Sequence, residues 1–237
     1  YILTKDVGMI PYTLSKKYDT KITTYPNEEF DYMTTLLTSE NFSLDYLNNT
    51  GNEKKDVKKY LKKHAKNIDI LQLYHLRYNL LPHYLFYYKL NNRKGKIFLK
   101  LDANNEFIDF LIKRKGLLPS LRRIYVRILF KFIDLISIET KKNYNTLLES
   151  NIITEKKLLY LPNGIQTNDT KLNDKKHNIL YVGYIEKKNK SIDMLLNAVT
   201  HIDLKDWKLI LVGNVEEDME EFVKYLFKEN PKLKDKI

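Results

Sequence analysis

Apolar positions along the chain fall into short runs that alternate with stretches repeating every three or four residues. Lys21-Ile22-Thr23-Thr24-Tyr25 is rich in β-branched residues and predicts a strand stopped by Pro26. IDILQLY (68–74), KIFLKL (96–101), DLISI (134–138) and LLYL (158–161) predict four more, the first of them buried. Between these runs Val57, Tyr60, Leu61, His64 and Ile68 recur at helical spacing, with seven Lys between Glu53 and Lys66 on the remaining faces. Residues 80–90, 107–132 (broken at 116–119) and 140–149 predict further helices. Nearer the start, Ile2-Leu3 reads as the end of a strand and Lys5-Asp6-Val7-Gly8 as a turn. Residues 10–17 follow as a helix with Pro11 in its first turn. Within 27–52 only Leu44–Leu47 suggests a strand.

Residues 165–177 are polar, as a linker would be, and then the pattern restarts. Strands are predicted at 178–182 and 207–212, helices at 191–199 and 217–228. Repeated βα units predict an α/β fold with parallel sheets covered by helices on both faces. The junctions YVG (181–183) and LVG (211–213) look alike, which shared βα architecture would by itself explain. Two strands and two helices leave a sheet edge and a helix face uncovered, so the protein is expected to continue beyond Ile237.

The composition narrows the classes. At 43% hydrophobic residues in 237, the chain can bury a sizeable core, which excludes wholesale disorder. With no Cys, disulfide scaffolds, zinc-thiolate sites and Cys nucleophiles are excluded, and a reducing cytoplasm is the fitting compartment. No apolar run approaches the roughly 18 to 20 residues of a membrane-crossing helix. The formal charge of +11 lies wholly in residues 1–163; residues 164–237 balance. Four of six Arg (Arg114, Arg122, Arg123 and Arg127) fall within fourteen residues, and residues 111–131 hold seven basic side chains and no acid. Leu121, Ile124, Tyr125, Ile128, Leu129 and Phe132 form an apolar stripe there, beside a charged line of Arg123, Arg127 and Lys131. Two readings stay open: the stripe packs on the sheet with a solvated basic face, or 111–131 lies on an anionic membrane surface. The basic surplus alone would also suit nucleic acid, but no nucleic-acid motif accompanies it and no such partner is expected.

Four segments in order carry a resemblance: KDVGMIPY (5–12), LYLPNGI (159–165), ILYVGYIEKKNKSIDMLLNAV (179–199) and WKLILVG (207–213). Together they resemble the retaining nucleotide-sugar glycosyltransferases of the two-domain GT-B fold, the family usually numbered four, over nearly the whole chain. The resemblance implies two Rossmann-like domains facing a cleft, with residues 1–164 on the acceptor side and 165–237 beginning the nucleotide-sugar domain. It implies sugar transfer with retention from a nucleotide diphosphate sugar to a cell-envelope glycan or lipid-linked acceptor in a bacterium. The enzyme would be cytoplasmic, or peripheral on the inner face of the membrane, with no cofactor and no metal.

Gly8 and Gly183, at strand-to-helix turns, would let backbone approach the diphosphate, and Lys190 matches the family's phosphate-binding Lys. The family's Arg position holds Tyr184, which brings no charge and no bidentate fork; Lys187 or Lys188 could take its place. The family's pair of glutamates eight residues apart has no counterpart before Ile237. On the acceptor side Asp102 and His75 end predicted parallel strands, where ligands of open α/β sheets gather; Glu139 is a third, weaker candidate. Asp102 could instead cap the helix that follows, and His75 could be a buried structural histidine. A non-catalytic GT-B-like accessory protein at the membrane surface is the competing function, supported by Tyr184.

Overall fold

The computed structural model describes residues 5–26, 39–164 and 175–237. The expected strand end at Ile2-Leu3 and most of the polar linker lie outside these residues. The chain divides into two compact units, Tyr1–Ile165 and Gln166–Ile237.

In the first unit, β1 (Thr20–Thr24) and β2 (Phe42–Tyr46) pair in parallel, with Ile22 beside Leu44. The second strand therefore starts two residues before the expected Leu44. A four-stranded parallel sheet follows in chain order: β3 (Ile70–Tyr74), β4 (Lys96–Leu101), β5 (Leu135–Ile138) and β6 (Leu158–Tyr160). Its apolar side chains drive the packing: Ile97, Leu99, Leu101, Ile136 and Ile138 are all buried. Against them lie α2 (Glu53–His64), α3 (Leu81–Asn91), α4 (Asn105–Ile112), α5 (Leu117–Lys131) and α6 (Lys141–Glu149), which contribute Leu61, Leu85, Ile108, Val126 and Leu147 to one core. Tyr88 is fully buried, and its hydroxyl donates to the Ile68 carbonyl at 2.6 Å.

The seven lysines of the α2 region are all exposed, so the helix presents a solvated basic face. Its start is fixed by Asn52, whose side chain accepts from Lys55 N, and by buried Asp56, which accepts from Thr50 and Tyr25. Arg77, after β3, grips Glu53 through two bonds of 2.6 and 2.7 Å.

The first helix departs from expectation. It is α1 (Asp6–Leu14), so the residues read as a turn are its first turn and Pro11 sits in its interior. Asp6 supplies the negative charge that a helix start favours, while Gly8 N–H and Met9 N–H both donate to Lys5 O. Proline has no N–H to give the turn behind it, yet its φ suits a helix, so a short helix tolerates it.

Two side chains pin α5. Arg123 donates to the carbonyls of Ile112 and Arg114 and to Ser120 Oγ, joining the end of α4 to the start of α5. Lys157 Nζ donates to the carbonyls of Phe130, Lys131 and Ile133 at the far end. Arg123 therefore turns inward and leaves the charged line expected of it. The apolar stripe is solvent-facing: of its six residues only Leu129 is buried.

In the second unit β7 (Asn178–Val182) and β8 (Lys208–Val212) are parallel, each followed by a helix, α7 (Ile192–Thr200) and α8 (Glu217–Glu229). Ile192, Leu196, Leu209, Met219 and Leu226 form their core. The likeness of YVG and LVG has a packing cause: Tyr181 pairs with Leu211 and Val182 with Val212, which sets Gly213 against Gly183. A Cβ on Gly213 would lie 1.7 Å from the Gly183 carbonyl oxygen, so no larger residue fits there. Among the described residues no helix is long and apolar enough to cross a membrane.

Candidate functional site

The carboxyl ends of the four parallel strands of the first unit gather the ionisable side chains. His75 follows β3 with a φ of 61°, a left-handed conformation that a non-glycine residue adopts at some cost. Its N–H donates to Lys100 O at 3.1 Å, and its Nδ1 lies 3.5 Å from the Asp102 carbonyl oxygen and 4.0 Å from Asp102 Oδ2. The two expected acceptor-side residues are thus neighbours, each about half exposed (53% and 52%), which leaves both open to a ligand.

Asp102 does not cap α4. Asn104 does, with its side chain accepting from Phe107 N at 2.8 Å. The loop that carries Asp102 is fixed from the other side by buried Asn143, whose Nδ2 donates to Ala103 O at 2.9 Å. The Asp102 carboxylate caps no helix, and among the described residues its one charged neighbour is His75. Asn104→Ala should lower stability by about 1 kcal/mol. Asp102→Asn should stay within about 0.5 kcal/mol of the parent, as exposed substitutions do. Urea unfolding of both variants reads this, and a large loss at Asp102 would return it to a structural role.

Beneath this pair lies a group the sequence reading missed. Lys100, the last residue but one of β4, is 1% exposed. Its Nζ bonds Glu139, lies 2.7 Å from Asp6 Oδ2, and reaches Asn163 Oδ1 at 3.4 Å. One ammonium therefore ties the start of α1 to the ends of β5 and β6. Burial alone would raise the Asp6 pKa, but the hydrogen bond and charge of Lys100 outweigh it and hold the carboxyl below its ordinary value. Burial likewise works against the Lys100 charge, and the two carboxylates overcome it and push its pKa up. Tyr74 adds a second tie, its hydroxyl donating towards the Asp6 and Val7 carbonyls at 3.3 and 3.4 Å. Gly8, expected at a turn, is instead the buried third residue of α1, and its N–H donates to Lys5 O at 3.1 Å. Glu139 is thus committed to Lys100. The overlooked signal was an ionisable residue inside a strand buried on both faces.

In the second unit the expected residues lie in the turn between β7 and α7. Gly183 has a φ of 158°, and a Cβ there would meet the Tyr181 ring hydroxyl at 2.9 Å. Tyr184 is half exposed, and its carbonyl accepts from Tyr181 OH at 2.9 Å. Lys190 is exposed and makes no ion pair among the described residues. Lys187 lies 3.9 Å from Asp193, and Glu186 accepts from Asn189, so Lys188 and Lys190 are the cations before α7 with no ion pair among the described residues. Among the described residues no three His, Asp or Glu side chains gather to hold a metal ion.

No family model matches the chain, and no curated protein does. Among solved structures, it is similar to a sucrose-phosphate synthase from Thermosynechococcus elongatus. The TM-score is 0.57 at 13% identity, over 97% of this chain and 62% of that one. It is also similar to a variant of TarM from S. aureus in complex with fondaparinux, alpha-GlcNAc-glycerol and UDP. There the TM-score is 0.46 at 11% identity, over 75% of this chain and 34% of the other. The chain thus spans less than two thirds of either. At such identity the first likeness shows shared fold, and with the parallel sheets it makes this an α/β protein of the Rossmann-like GT-B class.

Proposed function

We propose that this chain is part of a glycosyltransferase of the retaining GT-B type, family four. In this reading the first unit offers an acceptor site, at His75 and Asp102, and the second begins the site for a nucleotide diphosphate sugar. The donor is a substrate, and neither a resident cofactor nor a metal is invoked. The observation that carries the proposal is the pair His75 and Asp102, set 4.0 Å apart at the carboxyl ends of β3 and β4, with the half-exposed Asp102 carboxylate capping no helix. A sugar hydroxyl suits such a pair, because a carboxylate accepts from it and an imidazole can do either.

The chemistry asks for charge control on the donor side. The bond from the anomeric carbon to the phosphate oxygen breaks, and the nucleoside diphosphate leaves with the electron pair. The acceptor oxygen attacks from the same face, and its proton passes to a donor phosphate oxygen. Negative charge grows on the diphosphate, where the Lys190 ammonium and the backbone of the Gly183 turn would stabilise it. A cell-envelope glycan or a lipid-linked sugar in a bacterium is the proposed acceptor, met from the cytoplasmic side.

Tyr184 supports a second reading, a non-catalytic GT-B-like accessory protein, because a phenol stands where the family places a guanidinium. Calorimetric titration of the intact protein with UDP-, GDP- and ADP-linked hexoses separates the two. Binding heat with at least one donor is expected, followed by transfer of its labelled sugar with the anomeric configuration kept. No heat and no donor hydrolysis across the panel would reject the enzyme and favour the accessory role.

A further inference from the structure

We propose that α5, with the turn before it, is a docking face for an anionic lipid surface. The helix is apolar on two sides. Val126, Leu129 and Phe130 face the core, while Leu117, Leu121, Ile124, Ile128 and Phe132 recur at spacings of three and four on the outside and are all exposed. A helix on the surface of a globular protein carries polar residues there, so this face is made for something other than water.

What flanks it selects the occupant. The segment from Leu111 to Lys131 holds seven basic residues and no acid. Arg123 is spent on carbonyls, Arg114 and Arg122 lie over the Phe110 ring, and Lys113 pairs with Asp109 at 2.8 Å. Lys115, Arg127 and Lys131 make no ion pair among the described residues and border the apolar face. Lys113-Arg114-Lys115 runs directly into Leu117 and Leu118, which are 77% and 75% exposed, across Gly116 at a φ of 118°. Basic side chains followed by protruding leucines match a negatively charged headgroup layer over hydrocarbon. A second copy of this chain would bring the same cations against each other, which argues against self-association through this face. The bonds from Arg123 and Lys157 hold the helix in place, so the face exists before any contact.

Sedimentation with vesicles tests this on the intact protein, without donor or acceptor, so its failure leaves the sugar-transfer reading standing and the converse holds too. Vesicles of phosphatidylcholine with phosphatidylglycerol should bind at low salt, and phosphatidylcholine alone should bind roughly a hundredfold more weakly, the product of about fivefold for each of three basic residues. Leu117→Ser with Leu118→Ser should weaken binding roughly tenfold. Arg127→Gln and Lys131→Gln should cost about fivefold each. All four positions are exposed, so circular dichroism and the melting temperature should not move. No binding to anionic vesicles at low salt overturns the proposal. So does binding indifferent to these variants, or variants that alter the sedimenting mass of the protein while leaving vesicle binding unchanged.

Discussion

Replacing Lys100 by methionine is expected to lower the stability of the first unit by about 3 kcal/mol at neutral pH, since removing one partner strands the other charges. The two carboxylates are not fully sealed: the Asp6 and Glu139 side chains are 27% and 19% exposed. Water therefore relieves part of the penalty, and the expectation sits at the lower end of the range for a broken buried ion pair. Methionine fills the volume of the lysine stem, so the loss reports the charge and not a cavity. With two units, the effect should fall on one melting transition, lowering it by roughly 6 to 12 °C. A shift under 2 °C would mean that the network contributes nothing.

The pH dependence gives this prediction a sign that packing alone would not produce. In the parent, the Asp6 pKa is held below its ordinary value of 3.8, so its contribution is present above that value. It is lost as the pH falls through the lowered value. The Lys100 pKa is raised above 10.5, so its contribution is complete below that value and fades as the pH rises through the raised one. The cluster therefore stabilises across the whole range between. In Lys100→Met the Asp6 carboxyl loses the hydrogen bond and charge that hold its pKa down, while its burial remains, so protonating it becomes easier. The variant should regain stability relative to the parent on acidification, narrowing the gap towards pH 4. Thermal melts at pH 7 and pH 4.5 test it, and a gap that widens on acidification would refute the account.

Much of the fold was legible because its strands are continuous apolar runs bounded by turn residues, which is how a parallel sheet covered on both faces must read. β4 and β7 coincide with KIFLKL and NILYV to the residue. The first helix starts ahead of where Pro11 points, because Asp6 marks the start and Pro11 lies inside the helix. Periodicity found the stripe on α5 but could not say which way it faced: the helix also buries Val126 and Phe130, and the same pattern serves either face. That His75 and Asp102 follow the ends of parallel strands was legible from the apolar runs before them. Their adjacency was not, nor was the Lys100 cluster, because Asp6, Lys100 and Glu139 are brought together only by strand order and by the docking of α1.

Lys190→Ala is expected to lower sugar transfer by roughly 10²- to 10³-fold while leaving the fold intact. The side chain is exposed and engages no carboxylate among the described residues, so its loss strands nothing. In the proposed reading this ammonium, in the turn leading into α7, meets the incoming diphosphate. Charge on that diphosphate grows as the bond to the sugar breaks, so the loss should appear more in kcat than in KM. Lys190→Arg keeps the charge and should recover most of the activity. Tyr184→Arg is the complementary test: it adds the guanidinium that the resemblance calls for beside Gly183 and should tighten donor binding by about tenfold. If Lys190→Ala stays within threefold of the parent and Tyr184→Arg changes nothing, this turn does not carry the diphosphate. A stable Lys190→Ala protein that has lost turnover, together with a gain at Tyr184→Arg, would locate the diphosphate between two side chains six positions apart.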